Sequence, residues 1–308
     1  MNDASRQVFV VCNPVAGQSQ VDQIYAALKQ RFSPPDWSLE TYETTGKEDV
    51  SAISRDACQR GVSLVIAAGG DGTVVNVANG LIKTATPLGI LPLGTGNGLA
   101  RALNIPLELD QALDLLIANP KQLPVDALQV EQRHFFLNVS VGISPQLMQE
   151  TKSVQKRRFG LLAYLWTLLK RSSIFQLHHY QLTVDGRLQR VRAAEVLISN
   201  ISLLDKPARV FGPIETICDQ QMDAYLVAAR NFKEYARLVW NLFRHPGKSA
   251  PRLYHLVAKE SIRIEANTHP QLVQGDGEVI GRTPVEIRLV PQAVSVLIPA
   301  SDPAQRSS

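Results

Sequence analysis

Three glycine-bearing stretches are the first places in this sequence where we expect chemistry. The stretches 13–17, 69–73 and 94–98 each follow a short apolar run and precede a segment with helical apolar spacing. In such turns glycine permits a positive φ and a close approach of a ligand to the backbone, while successive N–H groups bind an anion. The following helix adds its positive N-terminal end. One such turn is weak evidence, but three together predict a phosphate site.

Two carboxylates near the C-terminus form the second candidate site. Asp276 and Glu278 flank Gly277, and in an extended segment residues i and i+2 point to the same side, so the pair could address one site. A carboxylate within hydrogen-bond reach of a reacting group can accept its proton. An Asp-Gly pair is also a common hairpin turn, and this alternative stays open.

The elements around the three glycine stretches predict a parallel α/β domain. Apolar runs at 8–12, 64–68 and 88–93 alternate with helical segments. All strand-to-helix turns of a parallel sheet leave at its carboxyl edge, so the three turns are expected to converge on one rim. No Gly-Lys-Ser or Gly-Lys-Thr follows these runs, and the third glycine of a dinucleotide fingerprint is missing, which disfavours Walker and Rossmann sites.

The second half of the sequence changes to β patterning with two helical insertions, which predicts a β-sandwich or barrel. We place the domains at 1–124 and 125–300, with a frayed tail at 301–308, and the last strand could pack back on the first domain. Strands are expected at 135–141, 180–184, 192–199, 225–229 and 261–265, and helices at 159–170 and 232–244.

Composition excludes several classes of protein. The 308 residues carry a net charge of +4, with 45% hydrophobic and 19% charged residues, which fits two globular domains and disfavours nucleic-acid binding. The three cysteines show no CxxC spacing, so neither a disulfide framework nor a zinc ribbon is expected. With no signal-peptide pattern and a longest apolar stretch of only 159–169, we expect a cytoplasmic protein.

These motifs resemble those of the diacylglycerol kinase catalytic-domain family, which includes sphingosine and ceramide kinases. The similarity extends from Val8 to about Ile298 and is nearest to soluble bacterial lipid kinases. The matching blocks occur in the expected order: Asn13-Pro14-Val15-Ala16-Gly17, Gly69-Gly70-Asp71-Gly72-Thr73 with Asn76 and Asn79-Gly80, Leu91-Pro92-Leu93-Gly94-Thr95-Gly96-Asn97, Val125-Asp126 and Gln274-Gly275-Asp276-Gly277-Glu278.

The resemblance implies a parallel-sheet nucleotide-binding domain, a β-sandwich domain and a cleft between them where ATP phosphorylates a lipid hydroxyl. It implies that Glu278 is the proton acceptor and that Asp276 is its partner or organises metal and phosphate. Asp71 would meet phosphate through Mg²⁺, with a turn-capping role as the alternative. The positions that it assigns to ATP are Asn13, Pro14, Ala16, Gly17, Thr45, Gly69, Gly70, Asp71, Gly72, Thr73, Val74, Val75, Gly94, Thr95 and Asn97. A helix cap is an equal alternative for Thr45.

A magnesium-binding loop is the further implication of the resemblance. It would use the carboxylate of Asp219 and the backbone oxygens of Thr216 and Gln221. Gln220 stands where the family usually has glycine, so a plain turn is the alternative. Asp126 would join a network of water and metal, or else be an aspartate at a strand end.

The acceptor is expected to be diacylglycerol or a related lipid. Gly98 replaces an aspartate that many bacterial diacylglycerol kinases carry, which leaves the exact lipid open. The alternatives are a soluble-metabolite kinase of the NAD kinase or phosphofructokinase type, and a nucleotide-binding regulator that has lost catalysis. The sequence leaves open whether the chain forms a homodimer.

A lipid kinase must reach a membrane surface, and two segments could make transient contact with it. Residues 230–252 hold six basic residues against Glu234, together with four aromatic residues. The alternative is a helix that packs its aromatic side on the sandwich. The apolar stretch 159–169 follows Lys156-Arg157-Arg158 and would be a buried helix or a lipid-entry flap.

Overall fold

The computed structural model describes residues 6–14, 21–146, 175–202, 214–244 and 250–300. Contacts divide the chain into two compact units, unit 1 with residues 1–126 and 291–308 and unit 2 with residues 127–290. Two strands, β5 (Lys121–Val130) and β16 (Val285–Ile298), have residues in both units. The helix expected at 159–170 and the tail at 301–308 lie outside the described residues.

Unit 1 contains the predicted parallel sheet, in the strand order β2-β1-β3-β4. The C-terminal part of β16 extends it, with Val296 beside Leu88 in parallel. Because the strands are parallel, the ends of β1 to β4 lie at one edge of the sheet, as the sequence predicts. The four strands are β1 (Arg6–Cys12), β2 (Trp37–Glu43), β3 (Leu64–Gly69) and β4 (Leu88–Pro92).

Five helices surround this sheet: α1 (Val21–Arg31), α2 (Val50–Gln59), α3 (Asp71–Gly80), α4 (Gly98–Ala102) and α5 (Leu109–Ile117). Apolar side chains of α1 and α5, such as Ile24 and Leu113, pack on the fully buried strand residues Val10 and Ile66. Helices α2 and α3 approach closely at Gly80, where a Cβ would lie 2.5 Å from the carbonyl oxygen of Ser51. Helix α3 is therefore packed closely against helix α2.

Unit 2 is a β-sandwich, as the sequence predicts. One sheet has the order β12-β11-β10-β7-β14-β15, and the other pairs the N-terminal part of β16 with β13, β8 and β9. Both sheets supply side chains to one core, for example Val141 and Val196 from the first and Leu182 and Ile264 from the second. The strands are β6 (Arg133–Phe135), β7 (Asn138–Gly142), β8 (His178–Val184), β9 (Arg187–Ala193), β10 (Glu195–Ser199), β11 (Met222–Val227), β12 (Leu253–Ala258), β13 (Ser261–Ala266), β14 (Leu272–Gly275) and β15 (Glu278–Arg282).

Two of the predicted strands are interrupted. The run 135–141 is divided between β6 and β7, and the run 192–199 between β9 and β10. The first interruption has a clear cause, because the backbone N–H groups of Phe136, Leu137 and Asn138 bind a carboxylate, that of Asp276. A periodicity of two cannot reveal such a break, since the apolar pattern continues through it.

Helix α6 (Phe232–Arg244) has the predicted bounds. Tyr235 packs against the ring of Phe175 at 5.8 Å and Leu238 is buried, so part of the apolar face belongs to the core of unit 2. Trp240 is 58% exposed, with the guanidinium of Arg244 5.3 Å from its ring. The helix-packing alternative therefore holds for Tyr235 and not for Trp240. No helix in the described ranges is both long enough and apolar enough to cross a membrane.

Candidate functional site

The two described glycine turns of unit 1 lie against each other. A Cβ on Gly94 would be 2.6 Å from the Cα of Gly70, and a Cβ on Gly69 would be 2.6 Å from the side chain of Thr73. None of these glycines has a positive φ. The expectation that they serve left-handed backbone is therefore wrong for these positions. Glycine is needed at position 94 because a Cβ there would meet the backbone of Gly70, and at position 69 because a Cβ there would meet the side chain of Thr73.

Asp71 joins these turns through its carboxylate. Its Oδ2 accepts the N–H of Asn97 at 2.9 Å and its Oδ1 accepts the N–H of Gly98 at 2.5 Å. A Cβ on Gly96 would lie 2.5 Å from the same Oδ2 atom. Asp71 thus has the capping contacts that the sequence left as an alternative, while its predicted contact with a metal-bound phosphate stays a prediction.

Asn97 is the residue that takes the left-handed conformation in this region, with φ of 51°. Its buried side chain closes the turn on itself, because Oδ1 accepts the N–H of Gly94 at 2.9 Å and Nδ2 donates to the carbonyl oxygen of Gly94 at 2.8 Å. Asparagine tolerates this backbone better than most residues do. The side chain of Asn97 therefore shapes the loop rather than projecting from it.

Helix α3 begins at Asp71, whereas the apolar pattern of the sequence predicts a helix over 74–82. The N–H groups of residues 71–73 consequently have no acceptor within the helix, since the first helical bond runs from Val74 N to the oxygen of Gly70. Asn13 Nδ2 donates to Thr73 Oγ1 at 3.2 Å and links the first turn to this helix start. The arrangement can bind an anion through backbone donors and the positive end of the helix.

The remaining positions assigned to ATP differ in exposure. Thr95 and Gly72 are exposed, whereas Val74 and Val75 are buried in the packing of α3. Pro14 directly follows Asn13 at the edge of the sheet, and Ala16 and Gly17 lie outside the described residues.

Thr45 lies in an exposed loop that is organised by a residue the sequence analysis did not select. The carboxylate of Glu48 accepts the N–H groups of Thr45, Gly46 and Lys47 at 2.9 to 3.1 Å. Its hydrogen bonds, with that to Thr45 the strongest cause, lower the pKa of Glu48 to about 2. The N-cap of α2 is Asp49, whose Oδ1 accepts the N–H of Ala52, so the helix-cap alternative for Thr45 is wrong.

In unit 2, Asp276 and Gly277 form a hairpin turn between β14 and β15. Their φ values of 45° and 91° are those of a type I′ turn, in which both central residues are left-handed. The carboxylate of Asp276 accepts three backbone N–H groups, those of Phe136 at 2.7 Å, Leu137 at 3.0 Å and Asn138 at 2.8 Å. The hairpin turn that the sequence left open is therefore present. Asp276 is its first central residue and Glu278 begins β15, so the extended geometry that we expected for the pair is absent.

Gln274 supports this turn from inside the sandwich, where it is only 3% exposed. Its Oε1 accepts the N–H of Gly277 at 2.8 Å. Its Nε2 donates to Asn138 Oδ1 at 2.7 Å and to Ser140 Oγ at 2.9 Å. Gln274 therefore fixes the residue that precedes Glu278 to strand β7.

Glu278 itself is exposed and pairs with Arg133, whose Nη2 lies 3.0 Å from Glu278 Oε2. The guanidinium of Arg133 also lies 5.2 Å from the ring of Phe135. Both of these side chains line a cavity of about 290 Å³ in unit 2. The carboxylate of Glu278 is accessible, while the carboxylate of Asp276 is occupied by backbone donors.

The predicted metal loop contains a strained residue. Gln220 has φ of 59°, the left-handed region that favours glycine, which explains why glycine suits this position. Asp219 Oδ1 accepts the N–H of Gln221 at 3.0 Å, and Thr216 Oγ1 accepts the N–H of Ser202 at 3.1 Å. Thr216 lies in the 3₁₀ helix Ile214–Cys218, and Asp219 and Gln221 follow it. Metal binding by these three residues stays a prediction.

Asp126 is fully buried, and its Oδ1 accepts the N–H of Gln292 at 2.6 Å. It lies within β5 rather than at a strand end, so that alternative is wrong. Within the described residues, no group of three or more His, Cys, Asp or Glu side chains could hold a metal ion.

Sequence reasoning missed Arg133 and Asn138 because their partners lie in distant segments. It also missed Glu48, although the partners of Glu48 are the neighbouring residues Thr45, Gly46 and Lys47. Gln274 stood within a recognised block, but nothing in the block assigned it a role. The available signal for Gln274 was its polarity at an apolar strand position next to the turn.

Two family models match the chain in succession. The diacylglycerol kinase catalytic domain matches residues 7–130. The YegS C-terminal NAD kinase beta sandwich-like domain matches residues 138–298, and this second match alone covers more than half of the chain.

Similar proteins cover nearly the whole chain. The diacylglycerol kinase of Bacillus subtilis (strain 168) is 26% identical over 300 residues, which cover 96% of this chain and 97% of that protein. The diacylglycerol kinase of Staphylococcus haemolyticus (strain JCSC1435) is 26% identical over 297 residues, with coverage of 94% and 87%. A solved structure of a diacylglycerol kinase from Bacillus anthracis str. Sterne shares the fold, with a TM-score of 0.74, 23% identity and 98% coverage of both chains. With both models matching in the order of the motifs, this chain belongs to the diacylglycerol kinase catalytic-domain family.

Proposed function

We propose that this chain is a magnesium-dependent lipid kinase that transfers the γ-phosphate of ATP to a hydroxyl of diacylglycerol or a related lipid. Membership of the family supports the reaction class. The proposal that the chain binds a nucleotide rests on the close pair of glycine turns and on the N–H groups of residues 71–73 at the start of α3. Backbone donors at a helix N-terminus suit the phosphates of a nucleotide.

The proposed reaction is an in-line phosphoryl transfer. The lipid hydroxyl oxygen attacks the γ-phosphorus, the bond from this phosphorus to the β–γ bridging oxygen breaks, and ADP leaves. The carboxylate of Glu278 accepts the hydroxyl proton. Arg133 holds this carboxylate in place at 3.0 Å, while Gln274 and Asp276 hold the turn that precedes it.

Oxygen donors are the appropriate ligands for Mg²⁺, and Asp71, Asp126 and Asp219 supply carboxylates of this kind. Magnesium is commonly held by one or two carboxylates together with substrate phosphates and water, which requires no larger protein cluster. When bound, the ion would neutralise charge on the transferred phosphoryl group.

The relatives support a lipid acceptor over a soluble metabolite, because the similar proteins of Bacillus subtilis and Staphylococcus haemolyticus are named diacylglycerol kinases. The cavity beside Arg133 has a volume of about 290 Å³ and is lined by arginines and glutamates together with apolar side chains, of which Phe135 and Val273 are buried. It can therefore contact polar as well as apolar groups of an acceptor.

The test is transfer of label from γ-labelled ATP with Mg²⁺ to diacylglycerol, phosphatidylglycerol, ceramide, sphingosine or NAD in parallel reactions. The informative variant is Glu278→Gln. Glu265→Gln is the matched control, because Glu265 is also an exposed glutamate paired with an arginine, Arg263, in unit 2.

We expect a labelled lipid with the unmodified chain and with Glu265→Gln, and a loss of at least about 100-fold with Glu278→Gln. Labelled NAD with unlabelled lipids would instead assign the chain to the metabolite kinases. Nucleotide binding without product from any acceptor would favour a regulator and contradict the proposal.

A further inference from the structure

Unit 2 has a second cavity, between the edge strands of its two sheets. Strand β9 ends one sheet and β12 ends the other, and residues of both line a groove of about 510 Å³. We call it the edge groove and define it by Arg190, Arg192, Arg230, Arg252, Tyr254 and Leu256. No residue of the Asp276 turn lines it.

The edge groove is strongly basic. Four arginines line it, and only Arg252 has a carboxylate partner within the described part of the chain, Glu234. Arg190, Arg192 and Arg230 are exposed, and the described residues offer their guanidinium groups no ion pair. Guanidinium groups bind phosphate oxygens in a bidentate geometry, so the groove is complementary to a phosphate group.

Apolar side chains lie between these charges. Leu177, Val191, Leu226 and Leu256 line the groove. Tyr254 lines it too and is 61% exposed, while the neighbouring Leu188 in β9 is 58% exposed. Aliphatic side chains and arginines lining one groove, together with an exposed tyrosine, match a ligand that has both an anionic head and an apolar chain.

We propose that the edge groove docks the chain on anionic phospholipid, with the arginines on the lipid phosphate and Tyr254 at the level of the headgroups. The occupant is phospholipid in a bilayer, because a soluble phosphate would leave the aliphatic lining in water. A nucleic acid is disfavoured, since Tyr254 is the single aromatic side chain of the groove available for base stacking. The proposal goes beyond the proposed function because it concerns binding without nucleotide or phosphoryl transfer.

Charged residues on edge strands also prevent pairing between sheets of different molecules, so the arginines could serve this purpose alone. That role requires charge but neither a groove nor an exposed tyrosine. The experiment must therefore separate specific binding from general charge.

The experiment measures co-sedimentation of the full chain, without ATP, with vesicles of phosphatidylcholine alone or of phosphatidylcholine and phosphatidylglycerol at low salt. We expect binding only to the anionic vesicles. The variant Arg190→Gln/Arg192→Gln/Arg230→Gln should bind about 100-fold more weakly, because each basic residue at an anionic surface contributes about fivefold. Tyr254→Ala should weaken binding about tenfold without a change of charge.

The control Lys29→Gln/Lys47→Gln/Lys121→Gln removes the same charge from exposed positions of unit 1 and should retain the affinity. The variant Arg190→Lys/Arg192→Lys/Arg230→Lys keeps the charge and should retain most binding, which guards against a folding defect in the glutamine variant. Equal losses in both glutamine variants, or no binding of the unmodified chain, would overturn the proposal. Binding of glycerol phosphate without vesicle binding would also overturn it, since the occupant would then be a soluble phosphate.

Discussion

The same tripeptide, Gly-Asp-Gly, occurs in both units and adopts two different structures. Gly70-Asp71-Gly72 leads from β3 into helix α3, whereas Gly275-Asp276-Gly277 forms a hairpin turn. In each case the aspartate accepts backbone N–H groups from a segment that is distant in sequence, two for Asp71 and three for Asp276. The comparison shows that the carboxylate joins segments in both units, while the backbone around it depends on the neighbouring elements.

The glycines of the two tripeptides serve different purposes. Gly70 in unit 1 lies against Gly94, whose own Cβ would be 2.6 Å from the Cα of Gly70, and neither residue has a positive φ. Gly277 has φ of 91°, a conformation that side chains with a Cβ rarely adopt. Substitutions should therefore distinguish the two turns.

The largest expected effect tests the two aspartates. Asp276→Ala should lower the free energy of unfolding by about 3 to 5 kcal/mol, because three backbone N–H groups lose a charged acceptor. Asp71→Ala, with two such groups, should cost about 2 kcal/mol. Urea unfolding measures both. Glu278→Ala is the control and should cost little, since it removes only an exposed ion pair. An equal loss for Asp276→Ala and Glu278→Ala would contradict the comparison.

The next effect tests the close approach in unit 1. Gly94→Ala should destabilise the chain by about 1 to 3 kcal/mol, because its Cβ would force the turns apart. Its affinity for ATP should fall as well, measured by titration calorimetry. Gly281→Ala in β15 is the matched control, since its Cβ would meet nothing within 4 Å. Unchanged stability and affinity in Gly94→Ala would mean that the turns tolerate separation.

A smaller effect tests whether the turn in unit 2 positions Glu278 for catalysis. Gln274→Ala should lower kcat about 10-fold while the KM for ATP stays constant, because Gly277 loses the acceptor that positions Glu278. Steady-state kinetics with the lipid acceptor measures this. Gln181→Ala in β8 serves as control. A rise in KM for ATP at constant kcat would show that Gln274 does not act through Glu278.

The smallest effects should have opposite signs. Gly72→Ala should raise the free energy of unfolding by about 0.5 kcal/mol, because Gly72 lies exposed in the first turn of α3. Gly277→Ala should lower it by about 1 kcal/mol, since its φ is left-handed. Gly277→Asn should cost less than Gly277→Ala, because asparagine tolerates left-handed backbone better than alanine does. Effects of the same sign for the two alanine variants would mean that the tripeptides are equivalent.

Much of the fold could be predicted from local patterns. Apolar runs followed by glycine turns predicted the parallel strands β1, β3 and β4, and the bounds of α6 were predicted without error. The start of α3 was missed because Asp71, Gly72 and Thr73 carry no apolar periodicity. Of the candidate residues, Asp71, Asp276 and Glu278 were selected for roles in catalysis and in binding metal and phosphate, which stay predictions. The backbone partners of Asp71 and Asp276 were not predicted.

The sequence by itself determined which segments form strands, helices and turns, because hydrophobic periodicity and glycine content are local properties. Tertiary structure decided what the polar residues do. Asp276 binds N–H groups of residues 136–138, and Gln274 binds Asn138 and Ser140, across more than 130 positions of sequence. A buried polar group needs a hydrogen-bond partner. The local sequence does not identify this partner, because it belongs to whichever segment packs beside the group.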